Sequence, residues 1–300
     1  MKIHDLDFEQ IERIEIQPED DVRELLATAR RPLILTGLEN DLRFLNDWTL
    51  DSLSQIKDNV KTQRPSSDGV NYFFQYTEMP MPEFIERIGN GENLYAGARK
   101  ILDSGGVPTN FAGLLDMADK LKIPPWIERS RIYNACLWVG AGGNRTLLHF
   151  DAWDTLQMIG QGEKEYFVFP PEESSRLYQH GIFDIKALLL GQVLHSKIRP
   201  LDVQEDYQKK FSKAKGFRGK YSAGEVMFVP AGFWHYVESS GLNIAVNFFT
   251  HFVDRSLQFQ EPLRTYWIKD NIMIPPLDWY WALRGRAGRL YRHLFKPQKV

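Results

Sequence analysis

From Arg131 onward the chain repeats one kind of unit, a short run of β-branched, aromatic and aliphatic residues closed by glycine or proline. Residues 132–139, 146–153, 156–159, 163–169, 219–222, 226–229, 234–239 and 243–249 read as strands on this basis. Gly140-Ala141-Gly142-Gly143, Gly160-Gln161-Gly162, Pro170-Pro171, Ala223-Gly224 and Pro230-Ala231-Gly232 supply the punctuation. Many short strands with turns between them argue a sandwich or a jelly-roll barrel. Between residues 169 and 219 lies a longer, partly helical excursion.

The first 130 residues alternate helical and extended signals. Pro18-Glu19-Asp20-Asp21 is expected to open a helix, with acids in its first turn and Val22, Leu25 and Leu26 at helical spacing. Pro32-Leu33-Ile34-Leu35-Thr36-Gly37 reads as a short buried strand, and residues 71–76 as extended. Short helices are expected from Asp47 and from about Met79, and one capped by Asn110 that runs to Leu121 before Pro124-Pro125. The fold class is therefore mainly β with helical decoration: a barrel domain over residues 1–255 and a helical segment over 256–300. No repeat or low-complexity segment interrupts it.

Composition narrows the function classes. One cysteine, Cys136, excludes an internal disulfide framework and a multi-cysteine zinc site, and reads as a small buried apolar residue. The net charge of −2 exerts no global pull toward nucleic acid or membrane. No apolar run approaches the ~20 residues of a membrane span, and the N-terminus has no signal core, so an intracellular, cytoplasmic protein is expected. Aromatic residues at 13% suit a fold of half-buried strands around a sizeable core.

The sharpest local feature is His149-Phe150-Asp151. In a strand, residues i and i+2 share a face, so the imidazole and the carboxylate reach one point while Phe150 packs the other way. These are two of the three ligands of a two-His-one-carboxylate site that leaves positions open on non-haem Fe(II). A histidine merely hydrogen-bonded to a nearby carboxylate is the plainer reading of such a triplet. His235 follows a strand and the Pro230-Ala231-Gly232 turn, in a setting of Phe233, Trp234, Tyr236 and Val237. If buried, its ring nitrogens need partners, either a metal or a backbone carbonyl.

His149-Phe150-Asp151, the run from Gly162-Glu163-Lys164 to Phe169-Pro170-Pro171, and the run from Ala223-Gly224-Glu225 to Trp234-His235 together resemble the JmjC (cupin-like) 2-oxoglutarate oxygenases. The resemblance extends over roughly residues 31–251. It is nearest to the small hydroxylase branch, with the asparaginyl hydroxylase of hypoxia-inducible factor and the tRNA wybutosine hydroxylase. It implies a double-stranded β-helix with a metal inside one end of the barrel, and Fe(II) and 2-oxoglutarate as cofactor and cosubstrate. By position it makes His149, Asp151 and His235 the iron ligands. Lys164 would pair with the distal carboxylate of 2-oxoglutarate, for which a compact ammonium is suited, and Thr146 would touch the same carboxylate. Asn247 is an amide in an apolar run that matches an active-site asparagine, and Tyr95 matches a tyrosine that hydrogen-bonds the cosubstrate.

Trp153, Thr155 and Trp234 are candidates for the substrate mouth, with core packing the expected role of the two tryptophans. His4, His180, His195, His251 and His293 have no partner spacing and are assigned no role. The expected reaction is hydroxylation of a protein or peptide side chain, with succinate and CO2 as coproducts. A modified tRNA base is the alternative, motivated by basic residues interleaved with aromatics over 207–221 and a basic stretch from 283 to the end. Lysine demethylation is less expected, since no chromatin-reading module is visible. A metal-binding cupin without turnover is the non-enzymatic alternative. The aromatic, amphipathic C-terminal stretch from Pro276 to Phe295 wants covering, and a homodimer through C-terminal helices is expected from the family.

Overall fold

The structure, a computed structural model, describes residues 1–66, 70, 76–109, 114–181, 184, 194–252 and 261–268. Thirteen strands among these, in chain order, are β1 (Phe8–Gln10), β2 (Glu12–Glu15), β3 (Leu33–Thr36), β4 (Asn59–Thr62), β5 (Thr77–Pro80), β6 (Tyr95–Asp103), β7 (Val107–Pro108), β8 (Ile132–Gly140), β9 (His149–Phe150), β10 (Asp154–Phe169), β11 (Gly216–Ser222), β12 (Val226–Val229) and β13 (Trp234–Thr250). All but the β4–β5 hairpin belong to one sheet ordered β2-β3-β12-β10-β13-β8-β6-β7, with β11 carrying β1 beside β10 and β9 beside β13.

Two long strands organise it. β10 and β13 pair antiparallel from Asp154↔Thr250 to Phe169↔Trp234. The first half of β10 is flanked by β12 and its second half by β11. The late half of β13 is flanked by β8 and its beginning by β9. The pair thus passes from one half of a sandwich into the other, and the jelly-roll expectation holds. The crossing lies at Gly160-Gln161-Gly162, where the register shifts twice. At Gly162 φ is +88°, and a Cβ would stand 2.3 Å from the Leu242 carbonyl oxygen, so only glycine lets the strands approach there. The expected turn at this point is therefore a bulge within one strand, and 234–239 and 243–249 likewise join into β13. Cross-strand pairing outweighs local glycine punctuation.

Period-two alternation divides the core into layers. Leu156 and Met158 of β10 face outward onto Leu26, Trp48, Phe84, Ile85 and Ile88 of the N-terminal elements. Phe167 and Phe169 face outward on the other half, against Ile3, Leu177, Phe211 and Trp234. Ile159, Tyr166 and Val168 face inward with Tyr95, Trp138, Tyr221, Met227 and Val237. Strands covered on both faces read as continuous apolar runs, as 226–229 does and as 244–249 does apart from Asn247.

Helix α1 (Val22–Thr28) starts four residues after Pro18, because Asp21 accepts from the backbone N–H groups of Arg23 and Glu24 and caps it. α2 (Leu50–Ser54) is capped by Thr49, and α3 (Met81–Gly89) begins after Pro80. The helix expected to run to Leu121 is described only as one turn, α4 (Leu115–Ala118), and its expected cap Asn110 lies outside the described residues. Residues 71–75 and the segment beyond Ile268 lie outside them as well, and with these the expected extended piece and the C-terminal dimer helices. β6 was not anticipated; its register shifts between Ala96 and Arg99 and between Lys100 and Leu102 obscure the alternation. Of the strand expected over 146–153 only β9 is regular, since Thr146 and Arg145 meet β13 through isolated contacts. No helix of the described residues is long and apolar enough to cross a membrane.

Candidate metal and oxyanion site

β9 is two residues long, yet it sets the site: His149 is the direct partner of His235 across the β9–β13 pair. Asp151 lies just past the end of β9 rather than within a strand. Its carbonyl accepts from Gly232 N–H at 2.9 Å, which ties it to the Pro230-Ala231-Gly232 turn. The turn is pinned a second time by the buried Asp154, whose carboxylate accepts from Ala231 N–H at 2.8 Å and Phe252 N–H at 2.6 Å. Gly232 has φ +82°, the left-handed conformation that this turn requires.

One donor atom each from His149, Asp151 and His235 lies within 4.8 Å of the other two. The tautomers follow from the hydrogen bonds. His149 Nδ1–H donates to the Leu147 carbonyl at 2.7 Å and His235 Nδ1–H to the Phe233 carbonyl at 3.1 Å. In its neutral form each ring then carries its lone pair on Nε2. His235 Nε2 stands 3.5 Å from Asp151 Oδ2, two electron-rich atoms with no proton between them. Burial, reinforced by the neighbouring His149, holds His235 well below the ordinary imidazole range, so the ring stays neutral. Burial raises the Asp151 carboxyl against the opposing pull of His149 and of Thr155, whose hydroxyl donates to Oδ2 at 3.2 Å. A cation placed among the three atoms relieves both the lone-pair contact and the desolvated carboxylate. Two imidazole nitrogens and one carboxylate fit a divalent transition metal with open positions.

Above these residues is a cavity of about 210 Å³, walled by both halves of the sandwich. All seven residues that the sequence assigns to metal and cosubstrate line it, Tyr95, Thr146, His149, Asp151, Lys164, His235 and Asn247, whereas the mouth candidates Trp153, Thr155 and Trp234 do not. Lys164, 2% exposed, has its ammonium 5.5 Å from the Trp138 ring centre, and no carboxylate of the described residues supports its charge. Burial alone lowers it to about 7. Thr146 Oγ1 accepts from Val237 N–H at 3.0 Å, which leaves its own proton to donate elsewhere. An ammonium and hydroxyl donors gathered in an apolar wall suit an anion.

Several residues were not singled out from the sequence. Gln157, Tyr166 and Trp138 line the cavity, and Tyr221 stands behind it; the alternation Thr155, Gln157, Ile159 was the available signal for Gln157. Burial holds the Tyr166 and Tyr221 phenols well above their ordinary value, so both remain O–H donors. His195, assigned no role, lines the cavity with its ring 5.6 Å from that of His149, brought there by a backbone bridge between the two residues that no local spacing announces. Trp234 is fully buried, as expected, and donates to Ser174. Trp153 instead stacks at 3.8 Å on the exposed Tyr133, near the cavity-lining Phe249, so core packing is not its role. Cys136 is buried, with its thiol pushed up to about 12. In the basic stretch, Phe211 and Tyr221 point into the core, while Arg218 and Lys220 pair with Glu165 and Glu163.

Comparison with known proteins matches residues 19–254 to the family described as Cupin-like domain. The chain is 26% identical over 242 residues to tRNA wybutosine-synthesizing protein 5 of Gallus gallus, covering 73% of this chain and 70% of that one. The Homo sapiens protein of the same name is 24% identical, over 80% of this chain and 77% of its own. The bifunctional arginine demethylase and lysyl-hydroxylase psr-1 of Caenorhabditis briggsae is 25% identical, over 90% of this chain and 66% of its own. A match across most of the chain, on a sandwich whose two halves enclose the His149, Asp151 and His235 cluster, leads to one conclusion: this chain belongs to the cupin-like domain family, of the JmjC type.

Proposed function

We propose that the protein is an Fe(II)- and 2-oxoglutarate-dependent hydroxylase. His149, Asp151 and His235 hold the iron; Lys164, with Thr146, Tyr95 and Asn247, holds 2-oxoglutarate. The observation that carries this reading is the juxtaposition of two anchored imidazoles and a carboxylate, aimed at one point, with a buried ammonium that has no carboxylate beside it among the described residues. When bound, iron and 2-oxoglutarate supply oxygen activation coupled to oxidative decarboxylation, giving succinate, CO2 and an inserted hydroxyl. The chain's own residues do the rest. Leu147 and Phe233 orient the ligand rings, Thr155 orients the Asp151 carboxylate, and the aromatic wall of Trp138, Tyr166 and Phe249 keeps the cavity dry.

The substrate is proposed to be a protein side chain. The match to psr-1 spans 90% of this chain, and two aromatics of the 207–221 stretch, Phe211 and Tyr221, are buried, which leaves only the half-buried Tyr207 and Phe217 for an RNA reading of that stretch. The relatives named tRNA wybutosine-synthesizing protein 5 favour a second reading, a tRNA base, so both substrates enter the test. Incubation with Fe(II), 2-oxoglutarate and either host proteins or host tRNA should yield succinate, and mass spectrometry a product heavier by one oxygen atom in the protein fraction. Oxygen gained only by tRNA replaces the substrate assignment. Metal and 2-oxoglutarate uptake without succinate indicates a binding cupin, and unchanged turnover in His149→Ala removes the metal assignment.

A further inference from the structure

Resting on the reading of the cavity as a 2-oxoglutarate site, one buried polar chain remains without a task. Tyr221 and Tyr166 each donate a hydroxyl proton to the same atom, Gln157 Oε1, at 2.6 and 3.0 Å. With the Gln157 oxygen placed on the two phenols, its Nε2 points the other way and donates to Asn247 Oδ1. Gln157 and Asn247 are direct partners on β10 and β13, which sets their side chains on one face. Asn247 has thereby committed its oxygen. Its NH2 group has no hydrogen bond among the described residues, and its side chain lines the cavity with Lys164 and Thr146.

We propose that Tyr166, Tyr221 and Gln157 act as a positioning relay, which holds the Asn247 amide with its donor edge toward the cavity and so sets a hydrogen bond for an oxyanion of the cosubstrate. Without the relay the amide is free to turn over. Turned over, it presents a carbonyl oxygen to a carboxylate, which repels rather than binds. Both tyrosine hydroxyls are spent on Gln157 in this scheme and act only through it. Their effect must therefore disappear when Gln157 can no longer transmit it.

The test is equilibrium binding of 2-oxoglutarate to the Fe(II)-loaded full chain without oxygen, with Fe(II) affinity measured in parallel. The variants are Tyr166→Phe/Tyr221→Phe, Gln157→Met, and all three changes together. The double tyrosine variant and Gln157→Met should each weaken 2-oxoglutarate about tenfold, as for one lost hydrogen bond to a charged acceptor. The triple variant should be no weaker than Gln157→Met, and Fe(II) affinity should not move. Tyr221→Phe alone, which leaves Tyr166 on the Gln157 oxygen, guards against loss of fold and should weaken binding about threefold. Unaltered affinity in the tyrosine variants, or a triple variant whose loss is the product of the separate losses, overturns the relay alone. A wild-type protein that takes up Fe(II) but no 2-oxoglutarate overturns the hydroxylase reading, and the relay with it.

Discussion

His149 and His235 are directly opposed residues of two antiparallel strands, and each donates its Nδ1 proton to the carbonyl two residues before it in the chain. The same bond, made twice, turns both Nε2 lone pairs toward Asp151. His149→Ala or His235→Ala should lower Fe(II) affinity by more than the 10–100-fold typical of losing an outer partner of a metal ligand, with little loss of fold. Metal titration of the purified variants, with circular dichroism alongside, checks this. Retention of Fe(II) by both would remove the metal centre.

Lys164 carries a pH dependence with a definite sign. Its value in the folded protein is about 7, against 10.5 ordinarily. Below pH 7 the lysine is charged in both folded and unfolded chains, and its burial costs stability in full. Between pH 7 and 10.5 the unfolded chain keeps a proton that the folded one has released, so this group makes the ligand-free protein more stable as pH rises. On the proposed function 2-oxoglutarate pairs with the ammonium, so affinity should fall above pH 7 by up to about tenfold per unit, and proton uptake should accompany binding at pH 8. Calorimetry in buffers of different ionisation enthalpy measures that uptake; its absence would contradict the assigned contact.

The same burial makes Lys164 a residue kept at the expense of stability. Lys164→Met retains the stem and removes the desolvated charge. At pH 7 the ligand-free variant should melt a few degrees higher, the shift expected from about 1–2 kcal/mol in a domain of this size, while its 2-oxoglutarate affinity is lost. A lower melting temperature would point to a partner for the ammonium within the fold.

Asp154 is a structural carboxylate at the start of β10, three residues after Asp151. Its oxygens hold the N–H groups of Ala231 and Phe252 in a buried setting, one on the turn that presents His235 and the other past the end of β13. Asp154→Ala strands both donors and should cost about 3 kcal/mol of stability. Chemical denaturation reads the loss. Fe(II) affinity should fall as well, since the turn also carries the bond to the Asp151 carbonyl.

Gly162 is the tightest point of the strand crossing. Gly162→Ala places a methyl against the Leu242 carbonyl at a positive φ, and should destabilise by about 2–3 kcal/mol. Lys164 is two residues further along β10, so 2-oxoglutarate affinity should drop in parallel. A variant of wild-type stability would show that the strands can separate there freely.

Much of this was readable without coordinates, because it rests on local periodicity and side-chain chemistry. Runs of β-branched and aromatic residues at 163–169 and 226–229 mark buried strands, and a histidine two residues from a carboxylate, with another after Pro230-Ala231-Gly232, narrows the metal chemistry to a few possibilities. Tertiary structure decided what depends on pairing between distant segments. That Gly160-Gln161-Gly162 bends one strand rather than ending it follows from β13 running alongside. That Gln157 commits Asn247 depends on Tyr221, a residue of another strand, and His195 joins His149 only through a backbone bridge. Cross-strand register carries no local signal, since it is selected by the burial of whole faces at once; the orientation of every polar group in the cavity is inherited from it.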